Sequence, residues 1–393
     1  MTNHDAVRFR GQLDQITGKL AEALPHGDLS AFYRTFRETD LPLLPVTFRD
    51  DPRTLFRLVF ETLQRLGALS PATALAVENH FYVSSAIATF PAGDDVLLEQ
   101  RRHAVLDKLG ARRALVANTN SKIQGNKLGQ IGTVARRKAD RFVVTGRASY
   151  TSLATEGDVL VFLTRIEDEG HAIFVIDPMQ GNPAVEIGPY LFPSAMQDSD
   201  TRQITFHDLE LTEDDLLLSP ANPQAGLLIE HEMAWHQLLI PALYLGAAAG
   251  ALEAVRTFLR GTTGRDGKPL AELDGMVVDV GRLALDHRSA CFTVLQAGET
   301  LATVRRLPDD EEALRRAAND ARAAKYVGTR CAEEIVTAAR RIVGARSYAG
   351  GHVLERLSQE VAFGPLGPEV SAAIERRYGE AALGDESFTH RSW

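Results

Sequence analysis

His236 and Glu232 stand four residues apart and carry the plainest chemical pattern in the 393-residue sequence. On a helix that spacing puts both side chains on one face, where a carboxylate can orient an imidazole as a base. The same spacing equally suits a hydrogen-bonded interior or interface histidine. Glu369 is a carboxylate with an ordinary reading. It follows Pro368 at the start of a helix expected over 370–379, where a first-turn carboxylate complements the helix dipole. The run Arg346-Ser347-Tyr348-Ala349-Gly350-Gly351 reads as a turn whose glycines are free to take positive φ. Cys291 and Cys331 sit in apolar helical patterns, where a free cysteine behaves as a small hydrophobe. They suggest neither a disulfide framework nor a metal site.

The elements that must position these residues fall into three blocks. Residues 1–112 read as helices: Phe9, Leu13, Ile16, Leu20 and Leu24 recur at helical spacing, and Asp51-Pro52 and Ser70-Pro71 are helix starts. Residues 113–220 change character, with β-branched or aromatic runs such as Phe142-Val143-Val144 and Val159-Leu160-Val161-Phe162-Leu163 separated by Gly, Asp, Asn and Pro. Residues 221–393 are helical again, with an alanine-rich apolar stretch over 234–259 and long helices over 273–305 and 310–343. The pattern predicts an α+β protein, mostly α. It has an N-terminal helical domain, a middle antiparallel β-barrel or sandwich, and a C-terminal antiparallel helix bundle.

A net charge of −9 gives no electrostatic reason to expect nucleic acid or an anionic membrane. The nearest approach to a membrane-spanning run, around 238–249, is too short, and the polar N-terminus lacks the apolar core of a signal peptide. A soluble protein of the reducing cytoplasm is expected.

The stretch from Lys325 to Pro368 resembles the last helices of the acyl-CoA dehydrogenase superfamily. It has a long helix, a glycine-broken turn, and a second helix restarting at Leu354-Glu355-Arg356-Leu357. The order of helices, β-domain and helix bundle resembles the same superfamily over nearly the whole chain. Gly146-Arg147-Ala148-Ser149-Tyr150-Thr151 is similar to its Gly-x-Lys-x-Trp-Ile-Thr motif, without the lysine and tryptophan. Thr151, with Ser152 following, matches the threonine that lies beside the flavin's reactive edge in that family. The segment from Leu259-Arg260 to Leu270 resembles an Arg-x-x-Phe-Gly-Lys-Pro-Leu loop whose arginine reaches the flavin pyrophosphate across a subunit interface. Asp266 stands where phenylalanine is usual, and Arg265 or Arg260 would take the arginine's part. Asn118-Thr119-Asn120 falls where the family has Thr-Glu-Pro, with Thr119 as the match. The turn carrying Arg346, Gly350 and Gly351 lies near the flavin in that family.

The resemblance implies FAD, with FMN as the alternative, and a homodimer or homotetramer. It breaks down at the catalytic base. One family position for the glutamate falls on Pro368, just before Glu369, and the other falls at Trp235-His236 on the first bundle helix. Gly364-Pro365-Leu366-Gly367-Pro368 resembles the subgroup that includes flavin-dependent monooxygenases. Three functional readings follow. In the first, reduced flavin from a partner reductase reacts with oxygen and oxidises a small or carrier-bound intermediate of specialised metabolism, with His236 as proton donor. In the second, the protein dehydrogenates an acyl thioester on CoA or a carrier protein, with Glu369 as base. In the third, departures at Asn118, Asp266, Arg341 and Gln359-Glu360 mark the loss of flavin, leaving a non-redox enzyme or an interaction protein.

Overall fold

The computed structural model describes residues 3–119, 131–265 and 267–384. Asn120 and Asp266, two of the motif positions above, lie outside the described residues. Six helices come first: α1 (Asn3–Ala23), α2 (Ser30–Glu38), α3 (Leu44–Thr47), α4 (Pro52–Gly67), α5 (Pro71–Thr89) and α6 (Val96–Arg112). The helix starts read from the sequence are capped as their chemistry dictates. Asp51 accepts from the Thr54 amide at 3.1 Å and Ser70 from the Thr73 amide at 3.1 Å, each with proline at the next position. Helix α5 is buried along almost its full length, which is why it shows no amphipathic stripe.

Eight strands follow: β1 (Val116–Thr119), β2 (Thr133–Lys138), β3 (Arg141–Thr151), β4 (Val159–Ile166), β5 (Gly170–Ile176), β6 (Val185–Tyr190), β7 (Arg202–Leu211) and β8 (Leu216–Leu218). They form one sheet in the order β6-β7-β3-β2-β4-β5-β8, with β1 also paired to β4. Most ladders are antiparallel, as the short connections demand. The sheet is nonetheless mixed, because β1 and β2 both run parallel to β4, opposite its two ends. Pairing register cannot be read from the alternation of side chains in single strands. Inside the sheet, Phe162 packs on Phe174 and Phe206 with ring centroids 5.9 and 4.8 Å apart.

The C-terminal block is α7 (Ala225–Gly261), α8 (Asp274–Leu301), α9 (Glu311–Val343), α10 (Val353–Val361) and α11 (Ser371–Gly384). Gly344 ends α9 with φ +72°, as the turn reading requires. The expectation that no apolar run reaches spanning length is corrected by α7, whose 37 residues are long and apolar enough to cross a bilayer. It is instead the central core helix, packed against α4, α5, α8 and α9.

Glycines set how closely α7 meets α4. A Cβ on Gly67 would fall on the carbonyl of Leu243, one on Gly246 on that of Gln64, and one on Gly250 on that of Ala68. The two backbones touch directly along this line.

Candidate active site at the meeting of three blocks

Helix α5 presents Glu78 and, four residues on, Tyr82, on a face turned toward α7. From α7, His236 Nδ1 meets Glu78 Oε1 at 3.0 Å, and its ring lies 4.7 Å from that of Tyr82. The Tyr82 hydroxyl donates to Asn118 Oδ1 on β1 at 2.7 Å, and Asn118 Nδ2 donates to Glu232 Oε1 at 3.3 Å. The Asn118 amide in turn donates to Asn79 Oδ1 at 2.7 Å. This connected polar group joins the N-terminal helices, the sheet and the bundle.

The expected pairing of His236 with Glu232 is therefore corrected. The carboxylate on His236 is Glu78, 158 residues away in sequence, while Glu232 receives Asn118. Glu78 is fully buried and burial pushes its carboxyl up, with the adjacent His236 drawing it back. With Nδ1 donating to that carboxylate, Nε2 has no protein partner among the described residues, and the His236 side chain keeps 13% of its exposure. A buried acid behind a half-open imidazole is an arrangement that can give or take a proton.

The other expected site residues fall into distinct places. Thr151 ends β3, is fully buried, and its Oγ1 has no partner among the described residues. A hydroxyl stranded in this way costs about 1–3 kcal/mol unless something bonds it. Thr119 Oγ1 reaches the Ser149 carbonyl at 3.4 Å, which brings β1 alongside the end of β3. Ser152 is already engaged, its Oγ 2.8 Å from Thr201 Oγ1, and Thr201 continues to Ser199 at 2.7 Å. Nearby, Tyr150 stacks on Phe192 at 5.9 Å and Phe192 meets Phe363 edge-on at 4.8 Å, closing the sheet against the bundle.

Glu369 is not an open base. Its Oε2 takes the Arg322 Nε at 3.1 Å and its Oε1 lies 3.6 Å from Arg377. Pro368, the position counted for the family's carboxylate, offers only its carbonyl, which accepts from Gln237 Nε2 at 2.8 Å. Trp235 belongs to the core. Its indole N–H lies 3.1 Å from Thr89 Oγ1 and 3.3 Å from His231 Nε2, and its ring packs edge-on against Phe56. Burial lowers the pKa of that neighbouring His231 to about 3, so it stays neutral.

Arg265, Arg346, Gly350 and Gly351 are exposed. Arg346 stacks 5.5 Å over Phe258, and Gly351 takes φ +82° with open space above it.

The stranded Thr151 hydroxyl and the loosely held Thr119 fit the polar edge of a flavin ring. Thr151→Val is expected to weaken flavin binding about tenfold by removing one hydrogen bond, while the flavin-free protein loses no stability. Fluorescence titration alongside a urea melt measures both. Unchanged binding would remove Thr151 from the site.

Sequence reading missed Glu78 and Tyr82. The available signal was the single carboxylate in a helix with no exposed face. A buried acid almost always has a partner.

A family model described as acyl-CoA dehydrogenase, C-terminal domain, matches residues 238–364. The putative acyl-CoA dehydrogenase YdbM of Bacillus subtilis is 26% identical over 327 residues, covering 81% of this chain and 80% of that protein. Among solved structures, butyryl-CoA dehydrogenase from Megasphaera elsdenii aligns with a TM-score of 0.80 at 15% identity, covering 98% of this chain and 99% of that one. The complex of TdsC from Paenibacillus with FMN and indole aligns with a TM-score of 0.80 at 17% identity, covering 98% of both chains. These structural likenesses establish the fold.

Proposed function

Because the chain belongs to the acyl-CoA dehydrogenase superfamily, we propose that it is a flavin-dependent oxidoreductase and, within that class, a monooxygenase. One observation carries the reading: the acid–base group of the site is the Glu78–His236 pair, while both family base positions lack a usable carboxylate. Pro368 and Trp235 have no group that takes a proton, and Glu369 is held between Arg322 and Arg377. Thr119 and Thr151 would hold the ring end of FAD, or of FMN, with Ser152 supporting the strand end. Arg265, Arg346, Gly350 and Gly351 would serve the phosphate end. Bound flavin supplies two-electron redox chemistry and, when reduced by a partner reductase, reaction with oxygen.

The rest is done by this chain's own side chains. Glu78 fixes the imidazole tautomer by accepting Nδ1–H, so His236 holds or delivers a proton at Nε2. A positive charge gained by the ring is compensated by the carboxylate behind it. Tyr82 confines the ring, and Asn118 fixes Tyr82. Tyr150, Phe192 and Phe363 pack together where sheet and bundle meet. A small or carrier-bound intermediate is the expected substrate.

A second reading, dehydrogenation of an acyl thioester with Glu369 as base, is favoured by the likeness to the putative acyl-CoA dehydrogenase of Bacillus subtilis. One series of measurements separates the two. The purified protein is titrated with FAD and FMN. It is then tested anaerobically with acyl thioesters, and aerobically with reduced flavin and small aromatic or acyl substrates. Retained flavin bands, no anaerobic bleaching, and a less than tenfold change in turnover for Glu369→Gln are expected, since a removed catalytic base costs about 10²–10⁴. Anaerobic bleaching that Glu369→Gln abolishes would establish the dehydrogenase. Failure to bind either flavin would overturn both readings.

A further inference from the structure

Lys325 on α9 is fully buried, which lysine tolerates only when its charge is compensated. Its Nζ lies 3.4 Å from the carbonyl oxygen of Pro365, 3.2 Å from that of Gly367 and 2.9 Å from that of Glu369. An ammonium has three N–H donors, and here three main-chain acceptors meet it. All three belong to the segment 364–369 that leads from α10 to α11.

That segment has little means of holding itself. Pro365 and Pro368 lack N–H groups, and its internal backbone bonds run from Leu366 and Gly367 to Phe363, each at 3.0 Å. It is fixed from outside. Lys325 draws it onto α9, and Gln237, next to His236 on α7, bonds the Pro368 carbonyl. Gly364 is seated against Tyr244 and Thr329, where a Cβ would crowd both side chains.

We propose that Lys325 is a positioning residue: its ammonium gathers the carbonyls of Pro365, Gly367 and Glu369 and so holds the segment 364–369 on α9, where Gln237 of α7 also reaches it. The clamp does not depend on the functional reading above.

The donor count makes the clamp depend on charge. A neutral amine has two N–H groups and a lone pair, so losing the proton releases one carbonyl. Burial pushes Lys325 down to about 8, with Glu369 drawing it back up. Between that value and the unfolded value the unfolded chain holds more protons. As pH rises through this window, Lys325's contribution to global stability therefore increases. The segment loosens over the same window, and these opposite signs distinguish clamp release from alkaline unfolding.

The charged and titratable groups around the clamp are few. Glu369 is bound to Arg322 and Arg377, and Arg322 also holds Glu230 of α7 at 3.0 Å. Tyr244 of α7 is raised by burial. Glu360 of α10, pushed up to about 8 by burial, accepts from Ser70 Oγ and the Ala72 amide. Of these groups, Glu360 shares the window.

The test is hydrogen exchange of peptides spanning 362–370 in flavin-free protein, from about pH 6.5 to about pH 9.5, corrected for intrinsic rates. Wild type is expected to exchange about tenfold faster above the transition, the worth of one charge-assisted hydrogen bond. Lys325→Met should exchange fast at every pH, and Glu360→Gln should keep the wild-type transition. A transition that persists in Lys325→Met, disappears in Glu360→Gln, or is missing from wild type overturns the proposal. If Lys325→Met does not fold, the wild-type and Glu360→Gln series still decide.

Discussion

Replacing His236 by glutamine is expected to lower turnover by about 10²–10⁴ while leaving the bound-flavin spectrum in place. Glutamine keeps a polar group near Glu78 but cannot carry the proton. Glu78→Gln should cost less, because the imidazole survives and loses only its oriented tautomer and the compensating charge. The double variant should be no worse than His236→Gln alone, since a carboxylate without an imidazole in front of it has no proton to manage. Product formation from the first active substrate in the assays above measures all three. Equal turnover in wild type and His236→Gln would remove the proton role from the pair.

Gly246→Val is expected to destabilise the fold by about 3 kcal/mol or more, the upper range for overpacking a tight interior. The new side chain would collide with main chain, at the Gln64 carbonyl, and main chain cannot rotate away. Gly261→Ala, at the end of the same helix where a Cβ meets open space, serves as the control and should change stability by less than about 1 kcal/mol. Urea midpoints for both variants provide the comparison. A mild Gly246→Val would mean that α4 and α7 can move apart at little cost.

The succession of helical, sheet and helical blocks was legible because local chemistry states it. Asp51-Pro52, Ser70-Pro71 and Gly344 mark helix ends, and β-branched runs between turn residues mark strands. The sheet's parallel pairings were not legible, since Val116 meets Val159 across a long stretch of chain that no periodicity describes. The site divides in the same way. Within the candidate site, a short motif points to Thr151 and helical spacing to His236. Neither points to Glu78, because the contact that gives it meaning joins positions 158 apart. The Glu232–His236 spacing showed the limit of one-helix reasoning: four residues apart makes a pairing geometrically allowed, and a neighbouring helix then offered a better partner. Glu369 showed another. Its identity suits a base, but Arg322 and Arg377 are already bonded to it, and Arg322 lies on a helix that approaches it only in the folded chain.

The polar group linking Glu78, Tyr82, Asn118, Glu232 and His236 draws on all three parts of the fold. The Glu78–His236 pair therefore exists only where the N-terminal helices have docked on the bundle. A chain with only its C-terminal helices formed carries an imidazole without its acid. One with only its N-terminal helices formed carries a buried-type acid facing water, where it behaves as an ordinary carboxylate. Neither partial form has the Glu78–His236 pair in place.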